Sequence, residues 1–210
     1  DIDEEEHKKG TVHIDKVINA DAKDFLFCLK DIKLRDIGAW RDKCLYWKKK
    51  WPMITKEHED DSKGISKFAF IGVLNKFLKK DSVVTTDAGA TTEIPMQALN
   101  FTDKGQRYLG SASQCEMGYS IPAAIGASIG NGRNEVLCIV GDGSLQLNIQ
   151  ELQTIVTQKL PIKIFVWNNG GYGTIRGHQK TIFKERYVGV DAESGTALPD
   201  LNKIADSYGI

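Results

Sequence analysis

Net charge is the first thing this chain lacks. Its 28 lysines and arginines balance 28 aspartates and glutamates. A balanced chain gives no electrostatic reason to bind nucleic acid or an anionic membrane surface. No apolar run approaches the roughly 18 residues of a membrane-spanning helix. The first six residues, Asp1-Ile2-Asp3-Glu4-Glu5-Glu6, are acidic, the opposite of a signal peptide's basic start. Cysteine is scarce and scattered, at Cys28, Cys44, Cys115 and Cys138, with no CxxC and no Cys/His ligand spacing. That pattern excludes a disulfide scaffold and fits a reducing cytoplasm. Cys138 lies inside an apolar run and reads as a small hydrophobe, and no histidine is placed to activate a cysteine as nucleophile. At 210 residues the chain is long enough for one full core plus a piece of another domain.

From residue 65 onward, short apolar runs alternate with helical stretches. Residues 65–78 show helical periodicity, 82–86 read as a strand and 93–99 as a helix. Residues 122–129 read as a helix of small side chains. Residues 135–140 (EVLCIV) and 162–167 (IKIFVW) read as buried strands, with one helix over 145–160 between them. Helices are expected again over 173–183 and 199–208. The alternation predicts an α/β fold, a doubly wound and mostly parallel sheet with helices on both faces. Upstream, 10–15 read as a short strand, 21–30 as an amphipathic helix, and 34–50 as a helix stopped by Pro52. Residues 57–63 (EHEDDSK) are polar and read as a linker. Gly126, Gly130 and Gly132 do not make G-x-G-x-x-G and precede a strand, so they read as a helix C-cap.

The residues that carry chemistry follow the two buried strands. Gly141-Asp142-Gly143 ends the first, 24 residues intervene, and Asn168-Asn169 ends the second. Parallel neighbours joined by a right-handed crossover bring both ends to one edge of the sheet. A carboxylate and an amide oxygen can then converge on one hard cation. Magnesium prefers oxygen ligands and takes its remaining ligands from phosphate and water. Glycines beside the aspartate let backbone N–H groups approach a phosphate. The chemistry is that of a magnesium–diphosphate site.

GDGS followed by NN at this spacing resembles the cofactor motif of thiamine-diphosphate enzymes. The upstream stretch 117–126 (MGYSIPAAIG) and the downstream Leu147-Asn148-Ile149-Gln150-Glu151-Leu152 resemble acetolactate-synthase-like members. The resemblance implies thiamine diphosphate and Mg²⁺ as cofactors. It implies Asp142, Asn169 and the Gly171 carbonyl as metal ligands, and Gly141, Gly143 and Ser144 at the diphosphate. Gly89, with a hydroxyl from Thr91 or Thr92, would form a second phosphate loop. Met117 would wedge between the two cofactor rings, and backbone groups of Cys115 and Met117 would meet the aminopyrimidine. Tyr172, Arg176 and His178 are the substrate-side candidates.

The resemblance further implies an enzyme that decarboxylates a 2-keto acid such as pyruvate and passes the acyl unit to a second carbonyl, as in branched-chain amino-acid biosynthesis. A 2-keto-acid decarboxylase or C–C lyase of the same superfamily, or a non-catalytic cofactor-binding module, remain as alternatives. Members of the family activate the pyrimidine with a glutamate from a separate N-terminal domain, normally of a neighbouring subunit, so a homo-oligomer is implied. Nothing in this sequence resembles that domain, and Glu93 and Glu116 read as loop charges. Biosynthetic members carry Met-Val and then Trp where this chain has Thr174, Ile175 and His178. The expected organisation is a central-domain remnant over 1–34, a helical linker over 35–64 and a C-terminally truncated diphosphate-binding domain over 65–210.

Overall fold

The computed structural model describes residues 1–33, 35–62, 64–111 and 113–210. The chain divides into two compact units, Asp1–Pro52 and Met53–Ile210. The expected start of the second helix, Leu34, and the end of the expected linker, Lys63, lie outside the described residues.

The first unit holds a 3-10 turn, Glu4–Lys8, and two helices, α1 (Ala22–Leu29) and α2 (Gly38–Lys50). Asp21 caps α1 by accepting the Lys23 N–H. The Asp36 carboxylate accepts the Gly38 N–H at 2.8 Å, and this Asx-type bond sets where α2 begins. The strand expected over 10–15 does not form. It finds no partner strand among the described residues, and an isolated extended segment has no ladder to satisfy its backbone.

The second unit opens with a 3-10 turn, Lys56–Glu59, whose His58 stacks on Phe68 at 4.7 Å. Then come α3 (Lys67–Leu74), β1 (Val83–Thr86), α4 (Ala90–Ala98), β2 (Arg107–Gly110), α5 (Ser120–Gly130) and β3 (Val136–Gly141). The unit continues with α6 (Asp142–Leu147), α7 (Glu151–Thr157), β4 (Ile162–Trp167), α8 (Gly173–Thr181) and α9 (Leu201–Tyr208). All four strands are parallel, in the order β2-β1-β3-β4. The expected doubly wound architecture is present.

Alternation along β3 explains the two layers of helices. Val136, Cys138 and Val140 face a cluster with Ile121, Ala124, Leu145, Leu152 and Ile155, beneath α5, α6 and α7. Leu137 and Ile139 face the other side, with Ile71, Leu74 and Ala98 of α3 and α4. Successive strand side chains point to opposite faces, so a strand buried on both reads as a continuous apolar run. Burying each such aliphatic side chain stabilises by about 1.5–3 kcal/mol, which holds the loop at the end of β3 on a rigid base.

Two departures from the sequence expectation matter for the site. β2 lies in a stretch that the sequence reading leaves unassigned, and four residues are too few to show a period. The single helix expected over 145–160 is two helices. Asn148 breaks it by turning its side-chain amide to donate to the Gly118 carbonyl at 2.8 Å, which ties the break to the Met117–Gly118 loop. No helix among the described residues is long and apolar enough to cross a membrane.

Candidate functional site

β1 connects to β2 on one side, and the chain then returns to place β3 on the other. Between β1 and β3 the winding direction reverses, and the crevice beyond the strand ends is where ligands bind in open α/β sheets. The loops after β1 and β3 border that crevice, joined by the loops before α5 and after β4. A cavity of about 640 Å³ lies there, within the range of cofactor sites. It is lined from the β1 loop by Gly89 and Thr91, from the segment before α5 by Cys115 and Met117, and from the β3 loop by Gly141, Asp142, Gly143 and Ser144. Asn169, Gly171, Tyr172 and Arg176 line it from the β4 side.

Asp142 is 2% exposed, at the first turn after β3. Its Oδ2 accepts the backbone N–H groups of Asn169 and Gly171, each at 3.0 Å, and Oδ1 accepts that of Gly143 at 2.8 Å. No ion pair with a lysine, arginine or histidine compensates it among the described residues. A buried carboxylate of this kind is costly unless a positive charge meets it. The cavity it faces is the direction from which a cation can arrive. No group of three or more His, Cys, Asp or Glu side chains able to hold a metal occurs among the described residues. A cation at Asp142 would therefore complete its shell with amide and carbonyl oxygens, phosphate or water.

The two asparagines after β4 have different jobs. Asn168 accepts the Gly170 N–H at 3.1 Å through its side-chain oxygen and shapes the turn, while Asn169 lines the cavity. Gly171 holds φ +141, and a Cβ there would sit 2.1 Å from the Val190 carbonyl oxygen. Only glycine permits this approach. Tyr172 N–H donates to that same carbonyl at 2.9 Å, so the segment near Val190 backs the β4 loop.

Close approach also governs the opposite wall. A Cβ on Gly143 would meet the Tyr172 ring at 2.5 Å, so the tyrosine packs directly against the β3 loop. Gly89 has φ +58, with Thr174 Oγ1 2.7 Å from where its Cβ would be. Cys115 is exposed to the cavity and holds φ +54, a region that favours glycine.

The hydroxyls expected to face a phosphate are turned inward. Thr91 Oγ1 lies 2.9 Å from Asp87 Oδ1 and 2.7 Å from the Ala88 carbonyl, and Thr92 Oγ1 donates to the Asp87 carbonyl at 2.6 Å. Ser144 Oγ donates its one proton to Asp87 Oδ2 and accepts the Gly118 N–H at 2.7 Å. What Ser144 and Thr91 have left for an anion is backbone N–H. Asp87, completely buried, is a site-shaping residue that sequence reading missed; the only signal was a carboxylate directly after a strand.

The substrate-side candidates separate. Tyr172 is at the cavity wall. Arg176 lines the cavity but turns back, donating to the Asn169 carbonyl at 3.0 Å and pairing with Asp191 at 3.6 Å. The Ser194 hydrogen bonds, with a smaller contribution from Arg176, hold the Asp191 carboxyl below its usual range against the opposing effect of burial. The structure does not bring His178 to the cavity: it is exposed, one turn beyond Thr174, whose carbonyl lies 3.2 Å from its Nδ1. Glu93 lines the cavity from α4, and Glu116 does not.

Residues 87–210 match the family described as Thiamine pyrophosphate enzyme, C-terminal TPP binding domain. The chain is similar to the acetolactate synthase large subunit of Pyropia yezoensis, with 35% identity over 174 residues, covering 83% of this chain and 28% of that protein. It is 31% identical over 204 residues to the acetolactate synthase large subunit of Buchnera aphidicola, covering 95% of this chain and 34% of that one. It is 36% identical over 130 residues to the acetolactate synthase isozyme 2 large subunit of Escherichia coli, covering 62% and 23% respectively. The chain thus spans about a third or less of the length of these relatives.

Proposed function

The chain belongs to the thiamine pyrophosphate enzymes, as an acetolactate-synthase-like part carrying their C-terminal TPP binding domain, and from that premise we propose that it forms the diphosphate- and metal-holding half of a thiamine-diphosphate- and Mg²⁺-dependent enzyme. The observation that carries this reading is Asp142. It is a buried carboxylate, framed by three backbone N–H groups, with no ion pair among the described residues, and it faces a cavity that Asn169 and Gly171 also line.

The residues present fit the cofactor. Asp142, the Asn169 side chain and the Gly171 carbonyl offer three oxygens, one anionic and two neutral. That set suits a divalent cation already paired with a diphosphate. Backbone N–H groups at Gly89, Thr91 and Ser144 would meet the diphosphate, with Gly141 and Gly143 leaving room for its close approach. Met117 would hold the rings apart, and backbone groups of Cys115 and Met117 would orient the aminopyrimidine. Tyr172 would close the substrate side. When bound, thiamine diphosphate supplies a stabilised carbanion and accepts the electrons released on loss of CO₂ from a 2-keto acid; the protein's contribution is position and electrostatics.

The whole protein on this reading acts on a 2-keto acid such as pyruvate and transfers the acyl unit to a second carbonyl, in a reducing compartment such as the cytoplasm. The carboxylate that activates the pyrimidine ring comes from a domain outside these residues, supplied by a second copy in a homo-oligomer.

The test is a calorimetric titration with thiamine diphosphate, with and without Mg²⁺. Binding that needs the metal is expected, and no binding under either condition would overturn the reading. Product analysis after incubation of the complete protein with pyruvate then separates the chemistries. Acetolactate marks the carboligase, and acetaldehyde alone marks a decarboxylase.

A further inference from the structure

The buried carboxylate that the proposed mechanism does not use is Asp87. It follows β1 directly and has no exposed surface. Among the described residues it makes no ion pair. It is instead saturated with donors. Oδ1 accepts the Ala88 N–H at 2.7 Å and lies 2.9 Å from Thr91 Oγ1. Oδ2 accepts from Ser120 Oγ at 2.9 Å and from Ser144 Oγ.

Those donors come from three separate segments. Ala88 and Thr91 belong to the β1 loop and the first turn of α4 that follows it, Ser144 to the first turn of α6 after β3, and Ser120 to the start of α5, just after Met117-Gly118. The link extends one step further, because Ser144 Oγ accepts the Gly118 N–H at 2.7 Å and Asn148 holds the Gly118 carbonyl. Two carboxylate oxygens offer about four acceptor positions, and four donors approach them here. Asp87 is therefore no ligand for a metal. It also takes up the protons of the Ser120 and Ser144 hydroxyls, so none of these is free to compensate for it elsewhere.

We propose that Asp87 is a positioning residue. Its buried negative charge draws the two phosphate-facing loops and the Met117 loop onto one point, fixing their spacing before the cofactor arrives. This rests on the thiamine-diphosphate reading above. Its physical basis is preorganisation: loops already held in the bound geometry lose less freedom on binding. Hydrogen bonds to an ionised acceptor are the strong kind, and a neutral amide of equal size cannot accept from all four donors.

The test uses the protein in its complete form and reads the Kd for thiamine diphosphate at saturating Mg²⁺, by calorimetry well below the unfolding midpoint of each variant. Asp87→Asn is expected to raise Kd tenfold or more. Ser144→Ala should do the same, and Ser144→Thr, which keeps the hydroxyl, should restore most of the affinity. Since both changes break one link, Asp87→Asn/Ser144→Ala should bind no more weakly than the worse single variant. A residue with a merely structural role would lower the unfolding midpoint and leave Kd alone. Unchanged Kd in Asp87→Asn, fully additive losses, or no rescue by threonine would each overturn the proposal. If Asp87→Asn does not fold, Ser120→Ala and Ser144→Ala decide, since both leave the carboxylate in place; unchanged Kd in both would overturn it. A wild-type protein that binds no thiamine diphosphate would instead overturn the reading beneath it, and the proposal with it.

Discussion

Oδ2 of Asp142 accepts the backbone N–H of Gly171 at 3.0 Å, joining the loops after β3 and β4 across 29 residues. Asn169 N–H reaches the same oxygen, also at 3.0 Å. The carboxylate therefore does two things. It offers negative charge to the cavity, and it sets the distance between the two loops that would hold a cation. A ligand framed in this way is already placed when the metal arrives, and replacing it disturbs both the charge and the frame.

Asp142→Asn should separate the two roles, because the amide keeps the size and one accepting oxygen but loses the charge. The Mg²⁺-dependent gain in thiamine diphosphate affinity is expected to fall at least tenfold, about 1.4 kcal/mol. Paired titrations in Mg²⁺ and in chelator measure it. A variant with the wild-type metal dependence would show that the cation sits elsewhere.

Gly143→Ala should push the Tyr172 ring off the β3 loop, since the new methyl would lie 2.5 Å from the ring. Cofactor affinity is expected to drop. Adding Tyr172→Ala should recover part of it, with a coupling of about 0.5–3 kcal/mol in a double-mutant cycle. Strictly additive effects would mean that the ring does not transmit the clash.

Gly171 and Gly170 differ in a way that stability measurements can read. Gly171→Ala would bring a Cβ within 2.1 Å of the Val190 carbonyl oxygen at φ +141, and neither backbone yields easily. A loss of roughly 1–3 kcal/mol or more is expected in urea unfolding. Gly170, at φ +71, has nothing within 4 Å of its Cβ position. Gly170→Ala should cost only about 1–2 kcal/mol, the usual cost of a left-handed alanine. Equal effects would count against the close contact with Val190.

Burial pushes the Cys138 thiol up from its ordinary 9.0 to about 11, against weaker opposing hydrogen bonds from Thr85 and Ser120. The sign follows from the folded state favouring the neutral thiol. Stability that depends on it is complete below 9.0 and is lost as pH rises toward about 11. Cys138→Ala should accordingly flatten the fall in stability over that alkaline window. Alkylation at pH 8 should label the exposed Cys28 and Cys115 in the native protein, with Cys138 reacting only after unfolding. Native labelling of Cys138 would contradict its burial.

The amino-acid sequence by itself determined three of the four strands and the edge where the chemistry lies. Residues 136–140 form a five-residue apolar run with a glycine, an aspartate and a glycine after it, and Ile162–Trp167 is a second run ending in two asparagines. Apolar patterning and chain order are local properties, and right-handed parallel crossover is nearly obligatory, so both loops had to meet on one side. Only the tertiary structure decided which side chains face the cavity. Asn148 breaks a helix because Gly118, thirty residues away in sequence, needs a donor. Arg176 turns from the cavity because Asn169 and Asp191 draw it back. Ser144 gives its hydroxyl to Asp87, and Thr91 turns its own inward between Asp87 and the Ala88 carbonyl, rather than toward an anion, because a buried carboxylate must be satisfied from whatever lies within about 3 Å. Those choices depend on distances between segments remote in sequence, and only the packed chain sets such distances.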